Sequence, residues 1–395
     1  MTNFAKRMDG VSGSVIREIF KMMGDPEMIS FGGGNPAKES FPIDVVERIA
    51  HEVLEQNGAG ILQYGATEGF SPLRESFLKY IAGPKGVEAA IENVLTLSGS
   101  MQGLDLVTKV FIDPGDAVLV ESPTFLGALQ AFNTYQANCV PVSMDDEGVD
   151  LNELEEKIRK YHPKLFYVIP TFQNPTGKTL GVERRKAIAA LAEKYDFIVI
   201  EDDPYCDLRY RGEPMPPIKT FDRAGQVILL NSFSKILSPG LRVGAAVAAP
   251  EIIRKMTVAK QSSDTHTSNL TQAIADAFLR NELLPGHLAH ILPIYTERLN
   301  AMLEGLDRFF PKSCRFTRPE GGLFVWGEVD GIRDMPAILK RATQELKVAF
   351  VPGQFFFVDP ATMGQNTMRL NFSSATQEKI LIGLERLGGL ISKNA

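Results

Sequence analysis

Five short apolar runs constrain the fold of this chain more than any other feature. They are NVLTLS, DAVLVES, KLFYVIP, FIVIEDD and QVILLNS, and helical patterns alternate with them from about Pro42 onward. None of the runs alternates between apolar and polar positions, and Gly, Pro, Asp and Asn bound them. Such runs are typical of strands that are buried on both faces of a largely parallel sheet. The sequence therefore predicts an α/β doubly wound domain.

The pattern changes after Pro285-Gly286. A long helical stretch, ILPIYTERLNAMLEGLDRFF, is followed by shorter pieces such as RFTRPEGGLFVWGEV and TMRLNFS, which indicate a second α+β domain. Near the start, an amphipathic helix candidate, SVIREIFKMM, precedes the glycine elbow FGGGNP. We predict a helix and elbow over 1–40, grouped with the smaller domain, a large domain over 41–286 and a small C-terminal domain over 287–395. No Ser/Gly linker separates the parts, so we expect them to share a cleft.

Composition excludes several classes of protein. With 395 residues, 44% hydrophobic and 23% charged, the chain can bury a large core. Its net charge of −6 gives no positive field for nucleic acid or anionic lipid, so neither partner is expected.

Cysteine and histidine usage and the first residues point to a place in the cell. Three distant cysteines without a CxxC fit a reducing compartment, and the five histidines have no third ligand at a motif spacing, so no metal site is predicted. The start MTNFAKRMDG has no apolar signal core, and no run approaches the ~20 apolar residues of a membrane span. We expect a cytoplasmic protein without a membrane partner.

Polar residues follow successive predicted strands, where doubly wound sheets place ligands. Asn174 stands in QNPTG, Asp202 and Tyr205 in EDDPY, Lys235 in NSFSK and Arg242 in SPGLRVG. Taken singly, each has an ordinary interpretation, as part of a turn, as a cap or as a solvated lysine. Taken together, they meet the needs of one cofactor, pyridoxal phosphate.

That cofactor needs a lysine amine for a Schiff base and a carboxylate at its ring nitrogen, which Lys235 and Asp202 can supply. Asn174 and Tyr205 can donate hydrogen bonds to the phenolate O3′. The phosphate needs amides at a helix start, hydroxyls and a cation. The candidates for phosphate contacts are Ser100, Met101, Gln102, Ser232, Ser234 and Arg242. Phe125, in ESPTF, can cover the open face of the ring.

At this point the sequence resembles the class I/II aminotransferases of fold-type I, and most closely their 2-aminoadipate/kynurenine-type branch. The motifs that carry the resemblance run in family order along nearly the whole chain. They are IREI, FGGGNP, LQYGATEGFSPLR, GSMQGLDL, DPGD, ESPTF, QNPTG, EDDPY, SFSKILSPGLRVG, PEGGLFVW, VPG and MRLNFS. One departure is Phe125, because relatives in this branch usually carry Tyr there.

The resemblance implies a three-layer α/β/α large domain with a mostly parallel sheet, plus a smaller α+β domain. It also implies the cofactor roles given above, with Lys235, Asp202 and Tyr205 as the catalytic residues. It implies a homodimer with shared active sites, in which Tyr64 reaches the phosphate of the partner subunit. The alternative for Tyr64 is a packed core aromatic. Arg369 is implied to hold the substrate α-carboxylate, with Asn174 and Gly34 as further substrate contacts.

Arg17 is a further implied substrate contact. In aminoadipate-type relatives the matching arginine lies on a mobile N-terminal helix and can pair with the distal carboxylate of acidic substrates. The alternative is an arginine on a solvated helix face.

The function that the resemblance implies is transfer of an amino group from an L-amino acid to a 2-oxo acid in a ping-pong reaction through Lys235, with 2-oxoglutarate as the expected acceptor. The same residues would also serve a β-lyase, a decarboxylase or a racemase. A cofactor-sensing regulator is a third hypothesis, but it needs a separate DNA-binding module. The sequence leaves the donor open among aminoadipate, kynurenine, aromatic, branched-chain and broad-range specificities.

Overall fold

The computed structural model describes residues 4–8 and 27–394. The predicted helix SVIREIFKMM and its Arg17 therefore lie outside the described residues. Short helical turns aside, the α-helices in order are α1 (Ile43–Ile61), α2 (Ser71–Phe77), α3 (Ser100–Phe111), α4 (Leu126–Thr134), α5 (Leu151–Tyr161), α6 (Val182–Tyr195), α7 (Pro250–Gln261), α8 (Asn269–Arg280), α9 (Leu283–Phe309), α10 (Met335–Leu346) and α11 (Gln377–Ser392).

The strands belong to one large sheet, one small sheet and one short two-stranded pair. In chain order they are β1 (Ile29–Ser30), β2 (Val94–Leu97), β3 (Ala117–Ser122), β4 (Asn138–Asp145), β5 (Gly148–Val149), β6 (Leu165–Val168), β7 (Ile198–Asp202), β8 (Val227–Ser232), β9 (Gly244–Val247), β10 (Cys314–Phe316), β11 (Phe324–Val329), β12 (Val348–Ala349), β13 (Val351–Pro352) and β14 (Thr367–Asn371).

The large sheet has eight strands in the order β2-β9-β8-β7-β6-β3-β4-β5. Its centre, from β8 to β4, is parallel, whereas β9 runs antiparallel to both of its neighbours and β5 runs antiparallel to β4. All five predicted apolar runs form strands of this sheet. The prediction of a mostly parallel sheet is confirmed, and β4, β5 and β9 are additions to it.

Helices cover both faces of this sheet, as the apolar runs require. Val118 and Val120 of β3 face a core shared with α3 and α4, while Leu119 between them faces a core shared with α5 and α6. Successive strand residues point to opposite faces, so a strand buried on both sides needs an unbroken apolar run. The predicted three-layer α/β/α arrangement is confirmed.

The C-terminal region forms a smaller α+β unit around the antiparallel sheet β10-β11-β14-β13. Strand β1 pairs with β12, and Ile29 and Phe31 lie in the core of this unit with residues of α10 and α11. The described part of the glycine elbow therefore packs with the C-terminal region. The exact domain limits stay predictions.

Helix α9 belongs to both regions. Ile291 and Tyr295 pack into the core of the large sheet, whereas Leu299 and Leu306, further along the same helix, pack into the core of the smaller unit. The predicted boundary after residue 286 falls inside this helix. In the described part of the chain, no helix has both the length and the apolar character needed to cross a membrane.

Candidate active site

A cavity of about 350 Å³ opens where β6, β7 and β8 end. Most of the residues predicted from the sequence line it. They are Gly34, Ser100, Met101, Phe125, Asn174, Asp202, Tyr205, Ser232, Ser234, Lys235, Arg242 and Arg369. Two predicted residues, Gln102 and Tyr64, do not line the cavity of their own chain. Parallel strands bring these distant loops together at one edge of the sheet.

Lys235 lies on the loop that follows β8. Its Nζ donates a hydrogen bond of 2.7 Å to the carbonyl oxygen of Gly34 in the glycine elbow. Burial lowers the pKa of this amine to about 8, and the positive charges of Arg369 and Arg242 act in the same direction. An amine with this pKa is partly neutral at physiological pH, which is the form that attacks a carbonyl or takes a proton.

Asp202 is the last residue of β7 and is buried. One oxygen, Oδ2, accepts a hydrogen bond of 2.8 Å from the Tyr167 hydroxyl, while Oδ1 has no partner among the described residues. Burial raises the pKa of this carboxyl to about 7, although the Tyr167 bond favours the charged form. A buried carboxylate with a free oxygen is unfavourable unless a cationic donor meets it.

Sequence reasoning missed Tyr167. It stands inside KLFYVIP, a run whose apolar character predicts a buried strand and no polar role. Its position on β6, beside β7, lets its hydroxyl reach Asp202. The signal that could have found it is a phenol in a fully buried strand, because such a hydroxyl needs a polar partner.

The start of α3 forms another wall of the cavity. Arg242 donates from Nη2 to the Ser98 carbonyl at 3.0 Å, and its guanidinium lies against Gly99, the residue before the helix. A Cβ on Gly99 would lie 2.4 Å from Arg242 Nη2, and the φ of Gly99 is +86°. Only glycine fits this position. Helix amides, serine hydroxyls and a guanidinium together make an anion site.

Gln102 lies in the first turn of α3. Its backbone N–H donates to the Gly99 carbonyl at 3.1 Å, so this amide already has a hydrogen-bond acceptor within the chain. Its side-chain Oε1 accepts from the Ser98 N–H at 2.8 Å. A direct contact between Gln102 and the cofactor stays a prediction, and the side chain has a different set of partners, described below.

Arg369, on β14, is 2% exposed and closes the cavity from the smaller unit. It donates to Asn174 Oδ1 at 2.9 Å and to the Gly32 carbonyl at 2.8 Å, and its guanidinium lies 4.2 Å from the centre of the Phe324 ring. Burial lowers its pKa to about 10, so it remains charged at neutral pH. No carboxylate of the described residues pairs with it. A buried cation without a counter-ion is a site for an anion.

Tyr205 stands beside this pair. Burial raises its pKa, while the nearby Arg369 charge and Asn174 side chain oppose the shift. Arg369 in turn donates to Asn174 Oδ1. The residues predicted for the phenolate oxygen and for the substrate carboxylate therefore lie together in one part of the cavity.

The chemistry of this lining fits pyridoxal phosphate. Among the described lining residues, Lys235, Arg242 and Arg369 are cationic and only Asp202 is acidic. A phosphate at the start of α3 would balance the charge of Arg242, and a substrate carboxylate would balance the charge of Arg369. A protonated ring nitrogen would give the free oxygen of Asp202 its partner. No group of three or more His, Cys, Asp or Glu side chains in residues 4–8 and 27–394 is arranged to hold a metal ion.

Comparisons with known proteins agree with this chemistry. The family model described as aminotransferase class I and II matches residues 26–387. The chain is 43% identical to aromatic-amino-acid aminotransferase 1 of Thermococcus litoralis, over 99% of this chain and 94% of that one. It is 41% identical to the 2-aminoadipate transaminase of Thermus thermophilus, over 98% and 95% of the two chains.

A solved structure shows the same likeness in three dimensions. The kynurenine aminotransferase of Pyrococcus horikoshii, in complex with PMP, superposes with a TM-score of 0.94 at 42% identity, over 99% of this chain and 97% of that one. The family match covers nearly the whole chain, and the cavity has the chemistry that the cofactor needs. This chain therefore belongs to the class I and II aminotransferases and is an aminotransferase that uses pyridoxal phosphate.

Proposed function

We propose that this enzyme transfers the amino group of an aromatic or large apolar L-amino acid to 2-oxoglutarate in a ping-pong reaction. The observation that carries the proposal is Arg369, a buried cation without a carboxylate partner among the described residues, which can bind the α-carboxylate that every amino acid and 2-oxo acid shares. Guanidinium offers two parallel donors to a carboxylate and stays charged at working pH.

The walls of the cavity support the donor class. Phe125, Leu126, Ile169 and Phe324 line it, and they carry no polar side-chain atom. An apolar side chain gains free energy when it leaves water for such a surface. The similar proteins described above include enzymes named for aromatic amino acids and for kynurenine, which points the same way.

The acceptor needs a second cation for its distal carboxylate. The cations that line the described part of the cavity already have proposed partners, so this role falls to Arg17 in the proposal. Arg17 lies outside the described residues, and its role stays a prediction from the sequence.

Each residue has a defined part in the reaction. When bound, pyridoxal phosphate supplies a carbonyl that condenses with amines and a ring that accepts electrons. Arg369 binds the substrate carboxylate and so orients Cα. The Lys235 amine, with a pKa near 8, takes the proton from Cα and can return it. Asp202 keeps a proton at the ring nitrogen, and Arg242 with the start of α3 binds the phosphate.

A panel of amino donors tests this proposal. We expect phenylalanine, tyrosine, kynurenine and leucine to form glutamate from 2-oxoglutarate at higher kcat/KM than aspartate or alanine. The measurements are the initial rates of glutamate formation for each donor in the presence of 2-oxoglutarate, and the consumption of each donor with and without 2-oxoglutarate. Donor loss without the acceptor would instead indicate a lyase or decarboxylase, and the highest kcat/KM with an acidic donor would reject the apolar donor class.

We propose further that the active unit is a homodimer with shared sites. Tyr64 is 82% exposed, which excludes the alternative of a packed core aromatic within one chain. Leu62, just after α1 and two residues before Tyr64, is 74% exposed. Neighbouring exposed apolar side chains are typical of a surface that another protein covers. In the proposal a second copy covers it, and Tyr64 reaches the phosphate of that copy.

Mixed dimers test the sharing of sites. A Lys235→Ala chain keeps Tyr64 and a Tyr64→Phe chain keeps Lys235, so their heterodimer contains one complete site. Random mixing should restore about a quarter of wild-type activity, because half of the dimers carry one good site of two. The assay uses a cofactor concentration that saturates the wild type but not Tyr64→Phe.

The control mixes Lys235→Ala with Asp202→Asn, two changes that fall in the site of the chain that carries them. No recovery is expected from this pair. Equal results from both mixtures would mean that Tyr64 serves its own chain.

The proposal keeps the cytoplasm as the location, without nucleic acid or membrane partners. Cys139, Cys206 and Cys314 are all free, which suits a reducing compartment. The net charge of −6 disfavours polyanions.

A further inference from the structure

Lys260, on α7, is a buried cation that the proposed reaction does not use. Its side chain is 0% exposed and does not line the cavity. The ammonium donates to Gln102 Oε1 at 2.8 Å, to both oxygens of Asp264 at 2.8 Å and to Thr267 Oγ1 at 3.1 Å. Burying a charge is unfavourable unless every donor is satisfied, and here every donor is satisfied.

The partners of Lys260 hold Ser98, two residues before the start of α3. Gln102 Oε1 also accepts from the Ser98 N–H at 2.8 Å, and Asp264 Oδ2 accepts from Ser98 Oγ at 2.9 Å. Gln102 Nε2 donates to the same carboxylate oxygen at 2.6 Å. Ser98 is therefore fixed at its amide and its hydroxyl, while its carbonyl holds the Arg242 guanidinium at 3.0 Å. Two residues, Gln102 or Asp264 and then Ser98, link the Lys260 ammonium to the proposed phosphate cation, Arg242.

The same cluster continues toward the loop of Tyr64. We call residues 264–272, which form most of the loop after α7 and the first turn of α8, the bridge segment. His266 Nε2 accepts from the Gly65 N–H at 3.2 Å, next to Tyr64, and Asn269 Nδ2 donates to the Gln63 carbonyl at 2.8 Å. Both amides that flank Tyr64 in the chain are thus bonded to the bridge segment, whose first residue is the carboxylate partner of Lys260.

The far end of that loop is held in the same way. Gln272 Oε1 accepts from the Phe70 N–H at 2.8 Å, and its Nε2 donates to the Thr267 carbonyl at 2.7 Å. Thr267 in turn accepts from Lys260. The loop over residues 63–70 and the start of α3 therefore share one framework, with the Lys260 ammonium at its centre.

We propose that Lys260, with Asp264 and Gln102, is a positioning residue for phosphate binding. It fixes the Ser98 segment and Arg242 for the phosphate of its own chain, and the Tyr64 loop for the phosphate of the partner subunit. The proposal rests on the proposed phosphate roles of Arg242 and Tyr64. It gives Gln102 a part in cofactor binding through Ser98, in place of the direct contact that the sequence predicted.

The test compares pyridoxal phosphate with pyridoxal, which lacks the phosphate. Apoprotein carrying Lys260→Met is titrated with each compound, and the dissociation constants are read from absorbance. We expect pyridoxal phosphate to bind about 10-fold more weakly or worse, and pyridoxal to bind within about twofold of wild type. An equal loss for both compounds, or no loss, would overturn the proposal.

The matched control is Lys219→Met. Lys219 forms a similarly buried pair with Asp222 at 2.7 Å, before β8 and away from the cavity lining. It should change the melting temperature without changing the preference for the phosphate. Arg242→Met is the benchmark. If this variant keeps the phosphate preference, the proposed phosphate site is wrong; if it loses the preference while Lys260→Met keeps it, only the role of Lys260 is wrong.

Two further variants keep the test decisive if Lys260→Met does not fold. Asp264→Asn retains the shape of the side chain, but its amide NH₂ group faces Gln102 and Ser98 groups that are themselves donors. This variant should therefore also weaken the binding of pyridoxal phosphate while leaving the binding of pyridoxal unchanged. Tyr64→Phe tests the proposed connection between Lys260 and the Tyr64 loop. It should reduce the affinity for pyridoxal phosphate less in the Asp264→Asn background than in the wild type, because the loop is already loosened. Additive losses would reject the link to Tyr64.

Discussion

Replacing Lys235 with alanine is expected to lower transamination by about 10⁴-fold or more while the protein stays folded. The amine is the only lysine nitrogen that lines the described part of the cavity, and its pKa near 8 allows it to exchange protons at working pH. Alanine leaves no group at this place that can take the Cα proton. The Lys235 side chain makes a single hydrogen bond, to the Gly34 carbonyl, so losing this bond should reduce the stability of the fold only slightly.

The measurement is single-turnover conversion of phenylalanine, together with a melting curve. Lys178→Ala is the matched control, because Lys178 lies in the loop after β6 but bonds to the Asp145 carbonyl and does not line the cavity. It should keep near-normal turnover. Turnover near wild type in Lys235→Ala would remove Lys235 from the mechanism.

Asp202→Asn is expected to lower kcat by about 100-fold or more, since an amide cannot hold a proton on the ring nitrogen. The fold should not suffer. Asparagine can still accept from the Tyr167 hydroxyl, and it removes a buried carboxyl whose second oxygen has no partner.

The pH dependence of stability separates this role from that of a helix or turn cap. Burial raises the pKa of Asp202 from 3.8 to about 7 in the cofactor-free protein, so the folded chain retains a proton that the unfolded chain has released. The contribution of Asp202 to stability is thus present at low pH and lost as the pH rises through about 7. The cofactor-free Asp202→Asn protein should be at least as stable as wild type at pH 8.

Thermal unfolding of both cofactor-free proteins at pH 5 and pH 8 checks this sign. A cap would instead lose about 1 kcal/mol on replacement and leave kcat unchanged. Retained kcat with a lower melting temperature would therefore contradict the proposed role.

The strands of the large sheet could be predicted where burial on both faces forces an unbroken apolar run, as in β3 and β8. Strand β9 could not, because Gly244 and Ala245 have low strand propensity and read as a loop. The glycine is explained only by the fold, since a Cβ there would lie 2.8 Å from the Asn231 carbonyl. Strand β4 could not be predicted either, because it contains Pro141, and proline inside a sequence argues against a central strand. The structure places β4 toward one end of the sheet.

The residues of the site also fall into two groups, those that the sequence predicts and those that only the fold brings together. Residues such as Lys235 and Asp202 stand at strand ends, so their meeting point follows from the topology alone. Tyr167 and Lys260 could not be found in this way. A tyrosine in an apolar run is interpreted as core and a lysine in a helix as solvated, because their partners Asp202 and Gln102 come from other elements. The role of Arg369 in closing the cavity needed the smaller unit to be in place.

Helix α9 also affects how this protein folds and unfolds. Its 27 residues extend over about 40 Å, and one half packs in each core. A half-helix of about 13 residues is marginal in water by itself. Melting either core would leave its half of the helix unsupported and weaken the other core through the shared backbone. We therefore expect the unfolding of the two regions to be coupled through this helix, although each has its own sheet.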